Sequence, residues 1–160
     1  MDFKIGPDKE RYDWNYLHTA VKEKDGVWNE EEGEWRLPEW TIRFDLDETM
    51  EGEGTLRVAV AGAAAHAGET TGEERWVGVD FALNGEPLES IRMPNDSGSS
   101  RSSIRGRYYH FELPFDAALL REGENTITLQ LDSMPPRGIA HSFPYAGVMY
   151  DAIRLEVDRP

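Results

Sequence analysis

The segment that decides the fold reads GENTITLQLDSMPPRGIAHSFPYAGVMYDAIRLEV from Gly123 to Val157. Apolar residues alternate with others at Ile127–Leu131 and again at Ile153–Val157, and this period of two places one face of a β-strand on a core. The stretch Pro135–Gly147 between them is rich in Pro and Gly and is too long for a tight hairpin. We therefore predict two strands that lie side by side or in facing sheets.

A carboxylate accompanies the second alternation. Asp151 is in phase with Ile153 and Leu155, so the sequence predicts that it points toward the interior where the last strand begins. A buried carboxylate needs partners, which are backbone N–H groups in one interpretation and a structural Ca²⁺ with loop carbonyls in the other. Asp151 is therefore a candidate calcium ligand, and we expect no other cofactor. The four histidines lack the spacing of a zinc site.

The rest of the chain has the same all-β character. Asn84-Gly85 is a hairpin signal, with Leu88–Met93 as the returning strand. We expect Ala61–Ala67 to end a strand and enter a loop, and Phe115–Leu120 to form a short helical turn. Further alternations predict strands at Trp40–Leu46, Leu56–Val60, Val77–Leu83 and Tyr109–Leu113. About eight short strands without an amphipathic helix of ordinary length indicate an antiparallel β-sandwich or jelly roll.

The length of 160 residues leaves room for one domain with a substantial core. Residues 1–39 hold six aromatic residues without a period among many charges, and we predict that they form an N-terminal arm packed on a sandwich of residues 40–160. No run of about 18 apolar residues could span a bilayer. The start, MDFKIGPDKE, lacks the apolar core of a signal peptide.

The charge is unevenly distributed. A net charge of -14 argues against binding to nucleic acid or to an anionic membrane surface. Residues 92–107 nevertheless carry four arginines against one aspartate. Arg101, Arg105 and Arg107 are the main functional candidates, because guanidinium groups bind planar carboxylates through two parallel hydrogen bonds. The alternative is that these arginines pair with neighbouring acids on the surface.

Aromatic residues are candidates to stack on sugar rings, although the aromatic residues of a small sandwich also form its core. The candidates are Trp14, Trp76, Tyr108, Tyr145 and Tyr150. No residue is marked as catalytic. The chain has no G-x-S-x-G elbow, and its acids neither establish nor exclude the carboxylate pair of a glycosidase. No lysine or tyrosine is marked by its spacing as the base of a uronate lyase.

Two segments carry a resemblance to a known family. They are RSSIRGRYYHFELPFDAALLREGENTITLQL from Arg101 to Leu131 and FPYAGVMYDAIRLEV from Phe143 to Val157. Both are similar to the C-terminal domain of the rhamnogalacturonan lyases of polysaccharide lyase family 4. The shared order is an Arg-x-x-Ile-x-Gly-x-Tyr run, a Gly-x-Asn-Thr-Ile turn and strand, and a Gly-Val-Met-Tyr-Asp-x-Ile-Arg-Leu ending. The openings at Asp13–Tyr16 and Trp40–Ala61 are also similar, so the resemblance covers nearly the whole chain.

The resemblance implies a galactose-binding-like jelly roll of the carbohydrate-binding-module type. It also implies pectic rhamnogalacturonan I as the ligand class, an extracellular location and a catalytic lyase domain as partner. In that family a lysine and a histidine of a separate N-terminal domain run the elimination, and no segment here resembles that domain. No catalytic residue is therefore carried over.

Our leading hypothesis is a non-catalytic domain that binds acidic pectic polysaccharide, either alone or as the accessory domain of a lyase. The assigned residues are Arg101, Arg105 and Arg107 for uronate carboxylates, Asn95 and Asp96 for sugar hydroxyls, and Tyr108 for ring contact. One alternative is a structural or interaction domain without a sugar site of its own. Another is a minimal polysaccharide lyase that uses the arginines to stabilise its transition state.

Overall fold

A computed structural model describes residues 1–22, 35–64, 76–94, 107–132 and 147–158. Twelve strands lie in these described ranges. They are β1 Asp2–Lys4, β2 Leu17–Thr19, β3 Val21–Lys22, β4 Trp35–Arg36, β5 Glu39–Leu46, β6 Glu53–Ala64, β7 Trp76–Leu83, β8 Glu86–Pro87, β9 Ile91–Pro94, β10 Tyr109–Asp116, β11 Gly123–Leu131 and β12 Gly147–Val157. The helical elements within the same ranges are the single turn α1, Glu10–Asp13, and a 3₁₀ turn, Ala117–Leu119. Neither has the length or the apolar character needed to cross a membrane.

The strands form two principal sheets. The first has the order β1-β5-β11-β7-β8, with β9 also paired to β7, and the second has the order β10-β6-β12-β2. Strands β3 and β4 form a separate small pair. All of these pairings are antiparallel except that of β1 with β5. The predicted all-β sandwich is confirmed, and the two strands of the 123–157 segment lie in different sheets.

The core lies between the sheets. On β6 the inward residues Leu56, Val58 and Val60 are fully buried, and they belong to one cluster with Leu129 and Leu131 of β11. Each strand contributes alternate residues, as the period of two requires. Burial of one apolar face from each sheet is the main favourable contribution to the stability of such a sandwich.

The small residues at the end of β6 extend the strand further than expected. Strand β6 continues to Ala64, and Ala63 and Ala64 are buried. Alanine can continue the strand here because β12 pairs with β6 as far as Gly147 opposite Ala64. The remainder of the predicted loop, residues 65–75, lies outside the described residues.

The N-terminal segment adds strands to the edges of both sheets. Strand β1 pairs with β5 in the first sheet, and β2 pairs with β12 in the second. The segment 1–22 therefore crosses from one sheet to the other, and α1 lies on the way. The division of the chain into 1–39 and 40–160 stays a prediction.

The predicted hairpin at Asn84-Gly85 is confirmed. Asn84 has φ 53° and Gly85 has φ 89°, which are the left-handed values of a tight turn between β7 and β8. The Asn84 side chain also bonds beyond its own hairpin. Its Nδ2 donates to Asn125 Oδ1 at 2.7 Å and to Leu119 O at 2.8 Å, and its Oδ1 accepts from the Thr126 N–H at 2.9 Å.

Asn125 completes this amide network and is fully buried. Its Oδ1 accepts from the Arg121 N–H at 3.0 Å, and its Nδ2 donates to Arg121 O at 2.8 Å and Gly123 O at 3.0 Å. The two asparagines therefore join the β7–β8 turn to the start of β11. Polar groups buried in this way are costly to leave without partners.

We predict that Asn125→Ala lowers the free energy of unfolding by roughly 2–3 kcal/mol, because the truncation removes the hydrogen bonds of this buried amide to Arg121, Gly123 and Asn84. Urea unfolding followed by circular dichroism measures the change. The exposed Glu122→Ala in the same turn serves as the control. A loss for Asn125→Ala no larger than that of the control would contradict the structural role of the network.

His18 is fully buried between the sheets. Its ring stacks on Trp40 with centroids 4.2 Å apart, its Nε2 lies 2.6 Å from Pro38 O, and its Nδ1 lies 3.2 Å from the Tyr150 hydroxyl. Burial raises the pKa of Tyr150 well above its usual range, so the hydroxyl stays protonated. The neutral histidine with its proton on Nε2 satisfies all of these groups, since Nε2–H donates to Pro38 and Nδ1 accepts from Tyr150.

Burial lowers the pKa of His18 from 6.5 to about 4, so the unfolded chain takes up this proton before the folded chain does. We predict that the contribution of His18 to stability is complete above pH 6.5 and is lost as the pH falls from 6.5 to 4, amounting to about 3 kcal/mol. Urea unfolding of the wild type and of His18→Gln between pH 7 and pH 4 measures it. Parallel pH profiles of the two proteins would contradict the prediction.

Candidate functional site

A surface cleft of about 400 Å³ opens where the N-terminal segment passes β12. Part of its wall comes from the stretch between β1 and β2, and part from the middle of β12. The lining residues are Phe3, Ile5, Gly6, Asp8, Glu10, Trp14, Tyr16, Ile42, Tyr150, Asp151, Ala152 and Ile153. The cleft therefore combines aromatic and aliphatic walls with carboxylates, a mixture typical of small-ligand sites.

The aromatic wall is built on packed rings. Trp14 meets Phe3 edge to face at 5.4 Å and Trp40 at 5.9 Å, which connects it to the core. Tyr16 meets Trp14 at 6.5 Å and keeps 43% of its surface exposed. The cleft thus presents an accessible ring on a support that packing holds in place.

Two carboxylates at the cleft accept hydrogen bonds from tyrosine hydroxyls. Tyr16 donates to Glu10 Oε1 at 3.2 Å, and Tyr108 donates to Asp151 Oδ2 at 3.0 Å. The hydrogen bond to Glu10 raises the pKa of Tyr16, and the hydrogen bond to Asp151 raises the pKa of Tyr108. Both tyrosines therefore stay protonated near neutral pH and orient the carboxylates that they contact.

The third carboxylate of the lining, Asp8, accepts from the backbone N–H of Lys4 at 2.6 Å. None of the described residues that line the cleft is a lysine, an arginine or a histidine. The cleft is therefore negatively charged and offers hydrogen-bond acceptors more than donors.

The structure contradicts the predicted inward position of Asp151. The pairing of β12 with β6 shifts at this point, so Tyr150 lies opposite Val60 and Ala152 lies opposite Ala59, with Asp151 as the extra residue of a bulge. Asp151 is exposed while Tyr150 is buried. The bulge breaks the period of two, which is why the phase of Ile153 did not predict the direction of Asp151.

The calcium hypothesis for Asp151 stays a prediction. Within the described ranges, no group of three or more His, Cys, Asp or Glu side chains is arranged to hold a metal ion. The contact to Asp151 that the structure does provide is the Tyr108 hydroxyl. Asp151 therefore serves as a hydrogen-bond acceptor on the rim of the cleft.

The sequence-predicted binding residues lie in and around the basic segment, residues 92–107. Arg101, Arg105, Asn95 and Asp96 lie outside the described residues. Arg107 and Tyr108 are described, and both are exposed just before β10 begins at Tyr109. The Tyr108 hydroxyl contacts Asp151 of the cleft, and Arg107 directly precedes Tyr108 in the chain.

The candidate stacking residues have different environments. Tyr150 is buried in the core, whereas Trp76 and Tyr108 are exposed and Trp14 is half-buried in the wall of the cleft. Tyr145 lies outside the described residues. Sequence reasoning did not single out Glu10 or Tyr16 as functional. The signal that could have identified them is the aromatic and acidic run Glu10–Tyr16, which lacks the periodicity of a core strand.

Comparison with known proteins agrees with the resemblance read from the sequence. Residues 1–155 match the family described as CBM-like, domain III of polysaccharide lyase family 4. A rhamnogalacturonate lyase of Dickeya dadantii is 31% identical over 156 residues, which cover 97% of this chain and 22% of that protein. A probable rhamnogalacturonate lyase B of Neosartorya fischeri is 28% identical, over 99% of this chain and 26% of that protein.

The chain therefore spans about a quarter of the length of these relatives. Among solved structures, a family 35 carbohydrate-binding module of Clostridium thermocellum is 15% identical and covers 89% of this chain and 93% of that one, with a TM-score of 0.38. That similarity is too low to support an argument. The family match covers nearly all residues, and the chain belongs to the CBM-like domain III family of polysaccharide lyase family 4.

Proposed function

We propose that this chain is a non-catalytic domain that binds the acidic pectic polysaccharide rhamnogalacturonan I, alone or as the accessory domain of a lyase. The observation that carries the proposal is the cleft beside Tyr108 and Arg107, in a family whose relatives include rhamnogalacturonate lyases. A bound accessory domain raises the local concentration of polymer around a catalytic domain. Since pectin is a wall polymer, we propose an extracellular location.

The basic segment, residues 92–107, supplies the positive charge that would attract an acidic polymer. Arg107 and Tyr108 are exposed, and the chain places Arg105 and Arg101 a few residues earlier. Guanidinium groups form two parallel bonds with a uronate carboxylate, and the exposed Tyr108 ring can contact the face of a sugar. The amide of Asn95 and the carboxylate of Asp96 are proposed to bind sugar hydroxyls.

The chemistry of the cleft favours binding over catalysis. Elimination on a uronate needs a base for the carbon-bound proton and a cation near the carboxylate. The described lining supplies no cationic side chain, and the raised pKa values of Tyr16 and Tyr108 disfavour the phenolate forms that could act as bases. We therefore propose that the domain itself does not cleave the polymer.

A second candidate function is a structural or interaction domain, and one contact favours it. Arg92 belongs to the basic segment, yet its Nη2 lies 2.7 Å from Asp132 Oδ2 in an ion pair. An arginine neutralised in this way contributes less to the recognition of an anion. If Arg101 and Arg105 also form ion pairs with acidic side chains, the segment stabilises the fold and does not bind sugar acids.

We predict that the wild type releases or absorbs heat on calorimetric titration with rhamnogalacturonan I oligosaccharides, and that Arg105→Ala and Arg107→Ala each weaken binding roughly tenfold. A hydrogen bond to a charged group contributes at least about 1.5 kcal/mol, and a loss of this size corresponds to a roughly tenfold increase in Kd. Arg154→Ala is the matched control, because Arg154 is an exposed arginine of β12 that pairs with Glu156. Binding that is unchanged in the two variants, or weakened equally in the control, would favour the structural function.

We also predict that incubation with rhamnogalacturonan I produces no rise in the ultraviolet absorbance of unsaturated uronate. The reason is that no lysine, arginine or histidine lines the described cleft, so no cation is present there to stabilise the uronate carboxylate in the transition state of the elimination. A rise that scales with protein concentration would show that the chain is a minimal lyase. Boiled protein provides the background trace.

A further inference from the structure

The cleft differs in charge from the basic segment 92–107, whose last residue, Arg107, is followed by Tyr108, which contacts Asp151 of the cleft. Asp8, Glu10 and Asp151 line the cleft, and none of its described lining residues carries a positive charge. A uronate carboxylate placed there would meet like charges at short range, which is unfavourable. The ligand unit that enters the cleft must therefore differ from the one that the arginines bind.

We propose that the cleft is a subsite for a neutral 6-deoxyhexose unit, the rhamnosyl residue that alternates with galacturonate in the polymer. This inference rests on the proposed function, and it adds a second recognition chemistry to it. The arginine segment binds the uronate, and the cleft selects its neutral neighbour. Pure polyuronate can satisfy only the first of these sites.

The carboxylates suit sugar hydroxyls, which are hydrogen-bond donors. Hydrogen bonds from Tyr16 to Glu10 and from Tyr108 to Asp151 hold both acids in place before a ligand arrives. A carboxylate has about four lone-pair positions, so one such bond leaves acceptor capacity for a sugar hydroxyl. Bonds between a hydroxyl and an ionised oxygen are among the stronger hydrogen bonds.

The apolar walls suit the methyl group and the ring face of a deoxyhexose. Ile5 is 56% exposed, Ile153 is half-buried, and both line the cleft together with the exposed ring of Tyr16. A methyl group gains from contact with aliphatic side chains, whereas a hydroxymethyl or carboxylate group at the same position would be desolvated there. The volume of about 400 Å³ lies within the range of small-ligand pockets.

Tyr108 links the two sites. It follows Arg107 directly in the chain, and its hydroxyl contacts Asp151 on the rim of the cleft. We expect consecutive units of one oligosaccharide to contact Arg107 and the cleft at the same time. Simultaneous contact of this kind raises affinity beyond that of either site alone.

The test compares two ligands of equal length, a rhamnogalacturonan I oligosaccharide and an oligogalacturonate, against matched variants. The double variant Glu10→Gln, Asp151→Asn keeps the shape of the cleft and removes two negative charges. The control Glu53→Gln, Asp158→Asn removes the same charge near the other end of β12. All four substituted residues are exposed, so we expect the variants to fold. Thermal unfolding verifies this.

We expect the cleft variant to bind the rhamnogalacturonan oligosaccharide at least about tenfold more weakly, with oligogalacturonate binding unchanged or slightly tighter. Removal of negative charge by itself would strengthen the binding of both anionic ligands, so a loss cannot be a charge effect. The control variant should bind both oligosaccharides slightly more tightly than the wild type, because it loses the same negative charge away from the cleft. As a second measurement, methyl rhamnoside should shift the backbone amide resonances of residues 8–16 and 150–153 of the wild type, and methyl galacturonide should not.

The outcomes separate the inference from the proposed function. If the wild type binds the rhamnogalacturonan oligosaccharide and the cleft variant binds it equally well, the inference is wrong and the proposed function stands. Equal weakening of both ligands, or amide shifts caused equally by galacturonide, also overturns the inference. If the wild type binds neither oligosaccharide, the proposed function itself is wrong.

Discussion

The pairing of β12 with β6 and the bulge within it determine the geometry of the cleft. Strand β12 pairs with β6 along nearly its whole length, so it is held firmly in the second sheet. The bulge at Asp151 changes which face each residue occupies, directing Tyr150 into the core and Asp151 to the surface. A regular strand would have presented its residues with a single phase, and an acid in phase with Ile153 would have been buried.

A continuous set of rings connects the core to the cleft. Tyr150 contacts His18, His18 stacks on Trp40, and Trp40 packs against Trp14 in the wall of the cleft. Because protein interiors are closely packed, these rings hold Trp14 and the neighbouring Tyr16 in position. The neutral state of His18 contributes to this arrangement, since a charged imidazole would have to be desolvated between the sheets.

The two chemistries of the site follow from its construction on different elements. The basic segment precedes β10, while the acids of the cleft come from the stretch before β2 and from β12. Tyr108 joins them through a single hydrogen bond to Asp151. In the arrangement that we propose, the anionic cleft disfavours the uronate that the arginines bind, so an alternating polymer would be distinguished from a uniform polyuronate.

The sequence by itself determined the sandwich, the hairpin at Asn84-Gly85 and the family, because strand periodicity, turn chemistry and the 147–155 motif are local properties of the chain. It also identified Tyr108 as a candidate for ring contact. Only the tertiary structure decided that Asp151 faces outward and that Glu10, Tyr16 and Asp151 meet in one cleft. Asp151 is separated from Glu10 and Tyr16 by more than a hundred positions in the chain. The pairing of β12 with β2 brings the three residues together. The bulge that turns Asp151 outward is not predicted by any alternation of residues in the sequence.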